Sequence, residues 1–359
     1  MKRIIELLAG EAASTAGTKI VDIDTSDLIS RISVHFKGTN NGNTPTAHPA
    51  KMISKIELLD GSDILFSLSG IQAQAANFYN DGFDVFNTID YRNDVMSIAV
   101  FNLDFGRFLY DKMLALDPTK FNNLQLKITH NMAAGGSVPD AGNLGVYAEV
   151  MSREGINPIG FLMTKELKSF AMTSSAHEYS DLPVDYPYRQ LIIQSLSAEK
   201  TPNEQFSKIK LSADADRMVI VNNISTSVLS KFAHNRKRMH ESIFGYGAGS
   251  AVEHFITPTY DCTIVVGGVG TALTTAICQQ AEGGSCDIHV DTTEEFQGII
   301  SGYCPHGALA LPMGDINEIN DWLNVDTFKS LKLDLLAGSS VGSSSTCEII
   351  SQQLRRYTK

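Results

Sequence analysis

The sequence predicts an all-β protein built as two tandem antiparallel sandwiches of eight-strand size, with short connecting helices. Three observations carry that prediction. Apolar and polar residues alternate with a period of two along much of the chain, which places one face of each extended run in a core and the other in water. Helical spacing is confined to a few short stretches. The two halves repeat the same strand signatures in the same order, and a repeat fixes architecture as well as boundaries.

Ile32, Val34 and Phe36 alternate with Ser33, His35 and Lys37, the first clear strand. Ile56 and Leu58 flank Glu57, and Leu124, Leu126 and Ile128 enclose Gln125 and Lys127, with the same reading. The pattern recurs at Leu191 and Ile193, at Ile209 and Leu211 around Lys210, and at Leu331, Leu333 and Leu335 around Lys332 and Asp334. Asn41-Gly42, Asp60-Gly61 and Asp81-Gly82 read as turns between runs, because glycine enters the backbone region that tight turns require. Helical spacing appears from Phe108 to Leu116, over part of Phe161 to Phe170, and from Asp315 to Leu323.

Ser54-Lys55-Ile56-Glu57-Leu58 matches Ser207-Lys208-Ile209-Lys210-Leu211, an offset of 153 from Ile56 to Ile209. Phe121 through Ile128 matches Phe328 through Leu335 at an offset of 207. Leu103 and Gly106 match Leu311 and Gly314, and Arg31-Ile32 and Arg189-Gln190 each open an alternating run. The rise from 153 to 207 places 54 extra residues inside the second unit, between about 230 and 300. An excursion of that size from one end of a sandwich is how such proteins build an exposed projection. The expected organisation is an N-terminal arm (1–30), a first unit (31–150), a proline-containing connector (151–188) and a second unit (189–359) carrying the excursion.

The 359 residues carry a formal net charge of −11, with 43% hydrophobic and 19% charged content. This excludes disordered, collagen-like and disulfide-scaffold classes. The acidity disfavours sequence-specific nucleic-acid binding by the folded body, since no global field attracts phosphate. Arg236-Lys237-Arg238 and Arg355-Arg356 with Lys359 are local basic exceptions that read as solvated loop and tail. Met1 to Gly10 begins with basic residues, but Glu6 breaks its apolar stretch, so it reads as a short amphipathic arm and not a secretory leader. The uncharged window from Cys262 to Ala281 is too rich in glycine and threonine to span a membrane, and reads as two strands joined by a glycine turn.

No constellation for chemistry emerges. Cys262, Cys278, Cys286, Cys304 and Cys347 are odd in number and contain no C-x-x-C, so they read as structural thiols. Cys286-x-x-His289 and Cys304-x-His306 do not match a closed zinc site. The nine histidines include no His-x-His, the pair a cupin metal site projects from one strand, and His35, His48, His234, His240 and His254 stand alone. There is no G-x-S-x-G elbow, and no lysine follows the glycine run from Val265 to Ala272, which also lacks a βαβ setting for phosphate. Forty acidic residues make a paired-carboxylate reading uninformative. Catalytic, cofactor-binding and metal residues are therefore all expected to be none.

The tandem units, with Lys55-Ile56-Glu57-Leu58-Leu59-Asp60-Gly61 and Leu103-Asp104-Phe105-Gly106-Arg107, resemble double jelly-roll major capsid proteins. So do the leucine-rich strands that follow Asp117-Pro118-Thr119 and Asp326-Thr327. The resemblance runs from about Arg31 to Tyr357, and its lineage includes adenovirus hexon and the capsid proteins of tailless viruses with an internal membrane. It implies two eight-stranded jelly rolls standing upright in a shell, and a homotrimer whose six rolls form a pseudo-hexagonal capsomer. It makes the 230–300 excursion a candidate outer tower, and Met1 to Gly10 and Gln352 to Lys359 candidates for the inner face. Implied partners are further copies of the chain, neighbouring capsomers, minor and penton proteins and an internal viral membrane. The implied location is the virion, after assembly in host cytoplasm, including that of bacteria for a bacteriophage. The alternative is a double β-sandwich that binds carbohydrate or a host receptor as a spike, and fold alone does not separate the two.

Overall fold

The structure is a computed structural model. It describes residues 1–84, 86–228, 237–268, 276–290, 293–343 and 345–357, with side chains left out of the description at 276–280.

Nine strands precede residue 152: β1 (Lys2–Ala13), β2 (Ala16–Asp22), β3 (Leu28–Thr39), β4 (Ile53–Asp60), β5 (Asp63–Leu68), β6 (Asn87–Asp90), β7 (Met96–Asp104), β8 (Leu124–Asn131) and β9 (Ala141–Met151). They form two facing layers, ordered β1-β9-β3-β7-β6 and β2-β8-β4-β5. Ile32, Val34 and Phe36 of β3 and Leu126 and Ile128 of β8 are buried between the layers, as alternation requires. The turn from β4 to β5 is Asp60-Gly61, with Gly61 at φ 60°.

The second unit follows as β10 (Gly160–Ala171), β11 (His177–Leu182), β12 (Tyr188–Gln194), β13 (Phe206–Ala213) and β14 (Met218–Ser225). The excursion contains β15 (Met239–Tyr246), β16 (Ala251–Phe255), β17 (Tyr260–Gly268), β18 (Ala276–Glu282), β19 (Ser285–Val290) and β20 (Glu295–Tyr303). The unit closes with β21 (Ala308–Pro312), β22 (Leu331–Ala337) and β23 (Thr346–Arg356). Its layers are ordered β10-β23-β12-β21 and β11-β22-β13-β14. Strand for strand these repeat β1-β9-β3-β7 and β2-β8-β4-β5, so every sequence match falls on corresponding strands.

Two corrections follow. The segment 151–188 is not a plain connector, because β10 and β11 are the counterparts of β1 and β2. β10 lies between β23 and β5, so Phe161, Leu162, Met163 and Thr164 are buried in succession and lose the alternation that marks a half-exposed strand. With Leu167 and Phe170 further on, the run imitates helical spacing. Residues 1–30 are likewise not a free arm: β1 pairs antiparallel with β9 from Lys2↔Met151 onward, and β2 pairs with β8. Ile5, Leu7 and Leu8 pack on the first core, so the amphipathic face serves the chain's own sandwich.

The expected helices also move. Phe108 to Leu116 and Asp315 to Leu323 contain no α-helix, the latter only a 3-10 turn at Ile319–Asp321. The one long helix among the described residues is α1 (Gly70–Asp81), opened by a Ser69–Gln72 capping box and closed by Gly82 at φ 72°. Asp81-Gly82 is therefore a helix end. α1 lies between the two units, where its Ala73 and Ala76 share a core with Ile192, Ala308 and Ile350.

Candidate functional site: the seam between the sandwiches and the outer excursion

Two sheets run through the seam without a break. β5 pairs parallel with β10 at Phe66↔Thr164 and Ser67↔Lys165, and β6 pairs parallel with β15 at Ile89↔Ile243 and Asp90↔Phe244. The units therefore share backbone hydrogen bonds, and their relative placement does not depend on side chains alone.

Between those ladders the seam is polar. Ten of the twelve residues of α1 are buried, among them Gln72, Gln74, Asn77 and Asn80. Buried amides require partners. Gln74 Nε2 donates to Asn87 Oδ1 (2.7 Å) and Val100 O (3.2 Å), which leaves its Oε1 facing His306 Nε2 at 2.9 Å. The Tyr79 hydroxyl donates to Ala308 O at 2.8 Å. Asn80 receives the guanidinium of Arg189, a fully buried side chain that also donates to Gln352 Oε1 (2.6 Å) and Ile316 O (2.9 Å).

Next to α1, His48 and His306 meet edge to face with centroids 4.8 Å apart. His48 Nδ1 accepts from Ala50 N (3.1 Å), so the neutral ring carries its proton on Nε2, which faces Thr257 Oγ1 at 3.1 Å. His306 donates from Nε2 to Gln74, and its buried Nδ1 has no partner. Burial pushes His306 down to about 3 and His48 well below the usual imidazole range. Both are neutral structural groups at pH 7.

At the end of the seam where α1 terminates, a cleft of about 350 Å³ is lined by Arg31, Asp81, Phe83, Arg107, Phe108 and Asn317 among others. Arg31 is held there by Asp81 (2.7 Å) and Asp104 (2.5 Å). Phe83 and Phe108 are exposed on its rim.

The excursion occupies 239–303 and is built on the first sandwich as much as on the second. β15-β20-β17 extends the β6 edge, while β16-β19-β18 forms a separate three-stranded sheet. Its core of Ile243, Ile256, Ile288, Val290, Phe296 and Ile300 includes Ile89 and Tyr91 from the first unit. His254 is buried there between Tyr91 and Phe296, with centroids 5.6 and 5.1 Å away, and burial lowers it to about 4. The Tyr91 hydroxyl donates to Phe255 O at 2.7 Å. The glycine turn expected inside 262–281 lies outside the described residues, and strands β17 and β18 flank it.

Termini and excursion tip lie at opposite ends of the sandwiches. Lys2 and Leu28, the first residues of β1 and β3, both pair with Met151, and Arg356 pairs with Gly160 at the same end. The far end of β3 leads to Asn40, whose amide donates to Asp90 O beside β15, and β15 continues to Tyr246 opposite Glu295.

Three members of the basic clusters have acidic partners, while Arg356 is exposed. Lys237 meets Asp84 (2.8 Å), Arg238 meets Asp261 (3.2 Å) and Arg355 bonds Asp63 (3.0 Å), while Arg236 and Lys359 lie outside the described residues. Among the described residues no group of three metal-ligating side chains converges. Cys286 sits in the excursion core and Cys304 in that of the second unit. Among the described residues no helix is long and apolar enough to cross a membrane. The sequence missed the seam itself, because His48 and His306 are far apart in the chain and share no motif.

No family model and no curated protein matches the sequence. Solved structures do match. The major capsid protein of STIV, the Sulfolobus Turreted Icosahedral Virus, aligns with a TM-score of 0.62 at 12% identity, over 99% of this chain and 98% of its own. The major capsid protein of bacteriophage PM2 aligns at 0.56 and 8% identity, over 99% and 98%. The PBCV-1 virus capsid aligns at 0.57 and 13% identity, over 99% and 93%. The fold is a double jelly roll. In this double jelly roll, α1 fills the space between rolls, and the excursion is the large insertion of the second roll, shared with the first through β6.

Proposed function

We propose that this chain is the major capsid protein of a tailless icosahedral virus, a structural subunit with no catalytic role. One observation carries the reading: two rolls of matched strand order, joined through shared sheets, account for the chain from β1 to β23, and three capsid structures align with it over 99% of its length. Two rolls per chain make a trimer a six-roll body, the shape that tiles a pseudo-hexagonal lattice. In this reading the rolls span 1–151 and 160–357, residues 239–303 form the outer tower, and both termini face inward. The inner face would meet minor proteins or a membrane, neighbouring capsomers and penton proteins would meet the flanks, and the protein would reside in the virion. The acidic partners of Lys237, Arg238 and Arg355 support a shell role over direct genome binding.

Mass measurement and negative-stain imaging of the purified protein test this. Trimers that form hexagonal arrays or closed particles are expected. A monomer or small oligomer retained on a glycan matrix would instead support a carbohydrate- or receptor-binding spike and overturn the shell reading.

A further inference from the structure

Beyond the backbone ladder of β6 and β15, the excursion and its return turn are tied to the first roll by the ion pairs Arg92–Glu295 and Lys237–Asp84, by His240 N donating to Asp84, and by a second set of contacts. That second set is His48 to Thr257, His306 to Gln74, Tyr79 to Ala308 and Tyr91 to Phe255. The return turn is itself unusual: Cys304, His306 and Gly307 all have positive φ (57°, 51° and 73°), a conformation that costs free energy at the two non-glycine positions. It is kept in place by His306 N donating to Thr257 O (2.8 Å) and Gln194 Nε2 donating to His306 O (2.9 Å).

We propose that this contact is an acid-released lock, in which His48, His254 and His306 hold the excursion against the first roll only while their imidazoles are neutral. The inference does not depend on the capsid reading. All three rings are buried, and their hydrogen bonds suit the neutral form: a proton on His48 Nδ1 would displace the Ala50 N–H, and one on His306 Nδ1 would meet no acceptor. Among the titratable neighbours only Glu241 opposes the histidines, because its raised carboxyl favours the closed, protonated form as pH falls. Lys51, on the turn beside His48, adds positive charge and faces Glu253 of β16. Around His254 and Thr257 stand Tyr91, Cys286 and Glu241, with Cys304 next to the return turn. Glu241 accepts the Thr257 N–H at 2.6 Å, and burial raises it to about 7, so it turns neutral as acid is added. Protonation is therefore available chiefly to an opened state in which the rings are hydrated. Opening that frees one imidazole becomes about 25-fold more favourable between pH 7 and pH 5, and about 600-fold for His48 and His306 together.

The test is amide hydrogen exchange of the full chain at pH 7 and pH 5, corrected for intrinsic rates. Peptides covering β15, β20 and 304–310 should lose protection by two or more orders of magnitude, while β3 and β8 keep theirs. The double substitution His48→Gln and His306→Gln, whose amides retain the Nε2-side donors, should remove most of that loss, leaving only the opposed contributions of His254 and Glu241. Equal pH dependence in both proteins, or protection unchanged at pH 5, overturns the proposal. Should the variant fail to fold, imidazole C2–H exchange on the unsubstituted protein decides. Midpoints for His48 and His306 far below 6.5 support the lock, and midpoints near 6.5 overturn it.

Discussion

Asp60 and Asp214 make the same pair of hydrogen bonds in the two rolls. Asp60 Oδ1, at the end of β4, accepts from the backbone of Asn122 (3.0 Å) and Asn123 (2.7 Å) just before β8. Asp214 Oδ1, just after β13, accepts from Lys329 (2.8 Å) and Ser330 (3.2 Å) just before β22. Each carboxylate ties the start of one strand to the hairpin beside it, satisfying two backbone donors at the sheet's end. Substitution of Asp60 by alanine should cost about 1–2 kcal/mol and lower the melting midpoint by a few degrees. Asp214→Ala should shift it in the same direction, and amide exchange should increase at Asn122–Asn123 in the first variant and at Lys329–Ser330 in the second. An unchanged midpoint in both would contradict a fastening role.

That pair explains why so much of the fold was legible. The strands flanking each aspartate alternate, because one face is buried and one wet, and the offsets between matched strands locate the excursion. The elements that escaped are those the seam covers on both sides. α1 buries Gln72, Gln74, Asn77 and Asn80 between the two rolls, with partners in both, so its apolar residues form no stripe; its signals were the Ser69–Gln72 spacing and Gly82. β10 is enclosed by β5 and β23 and so reads as a helix. The seam histidines were illegible because only tertiary structure brings residues 48 and 306 together.

Gly307 should tolerate no side chain. Its φ of 73° disfavours any L residue by about 1–2 kcal/mol. In addition, an added Cβ would stand 2.1 Å from Ser195 O, a backbone atom that cannot swing aside. Gly307→Ala is expected to reduce soluble yield and to lower the midpoint far more than Gly61→Ala. Gly61 has φ 60° but open space around it, so the difference between the two variants isolates the steric part.

Arg189 is not replaceable by lysine. Its planar fork serves Asn80, Gln352 and Ile316 at once, from a position with no exposed surface. A lysine ammonium at the end of a flexible stem cannot reach the same acceptors in that geometry. Arg189→Lys should cost about 2–3 kcal/mol through stranded buried acceptors, measured by denaturant unfolding. Loss of protection should concentrate at the C-terminal turn of α1 and on β23, where the partners lie.

Glu241 contributes to pH dependence in the sense opposite to the histidines. Burial in the excursion holds its carboxyl near 7, above the ordinary carboxylic-acid value, so folding favours its protonated form. The stabilisation linked to that proton is fully present below about pH 4.5 and is lost as pH rises through 7. Glu241→Gln keeps an oxygen for the Thr257 N–H and removes the charge. Its midpoint should exceed that of the unsubstituted protein at pH 8, by an amount on the order of 1–2 kcal/mol after allowing for partial exposure, and converge with it near pH 5. Because the histidines are present in both proteins, their acid effect cancels in the comparison at each pH. A difference that persists unchanged from pH 5 to pH 8 would mean that the carboxyl titrates normally and that the gain comes from packing alone.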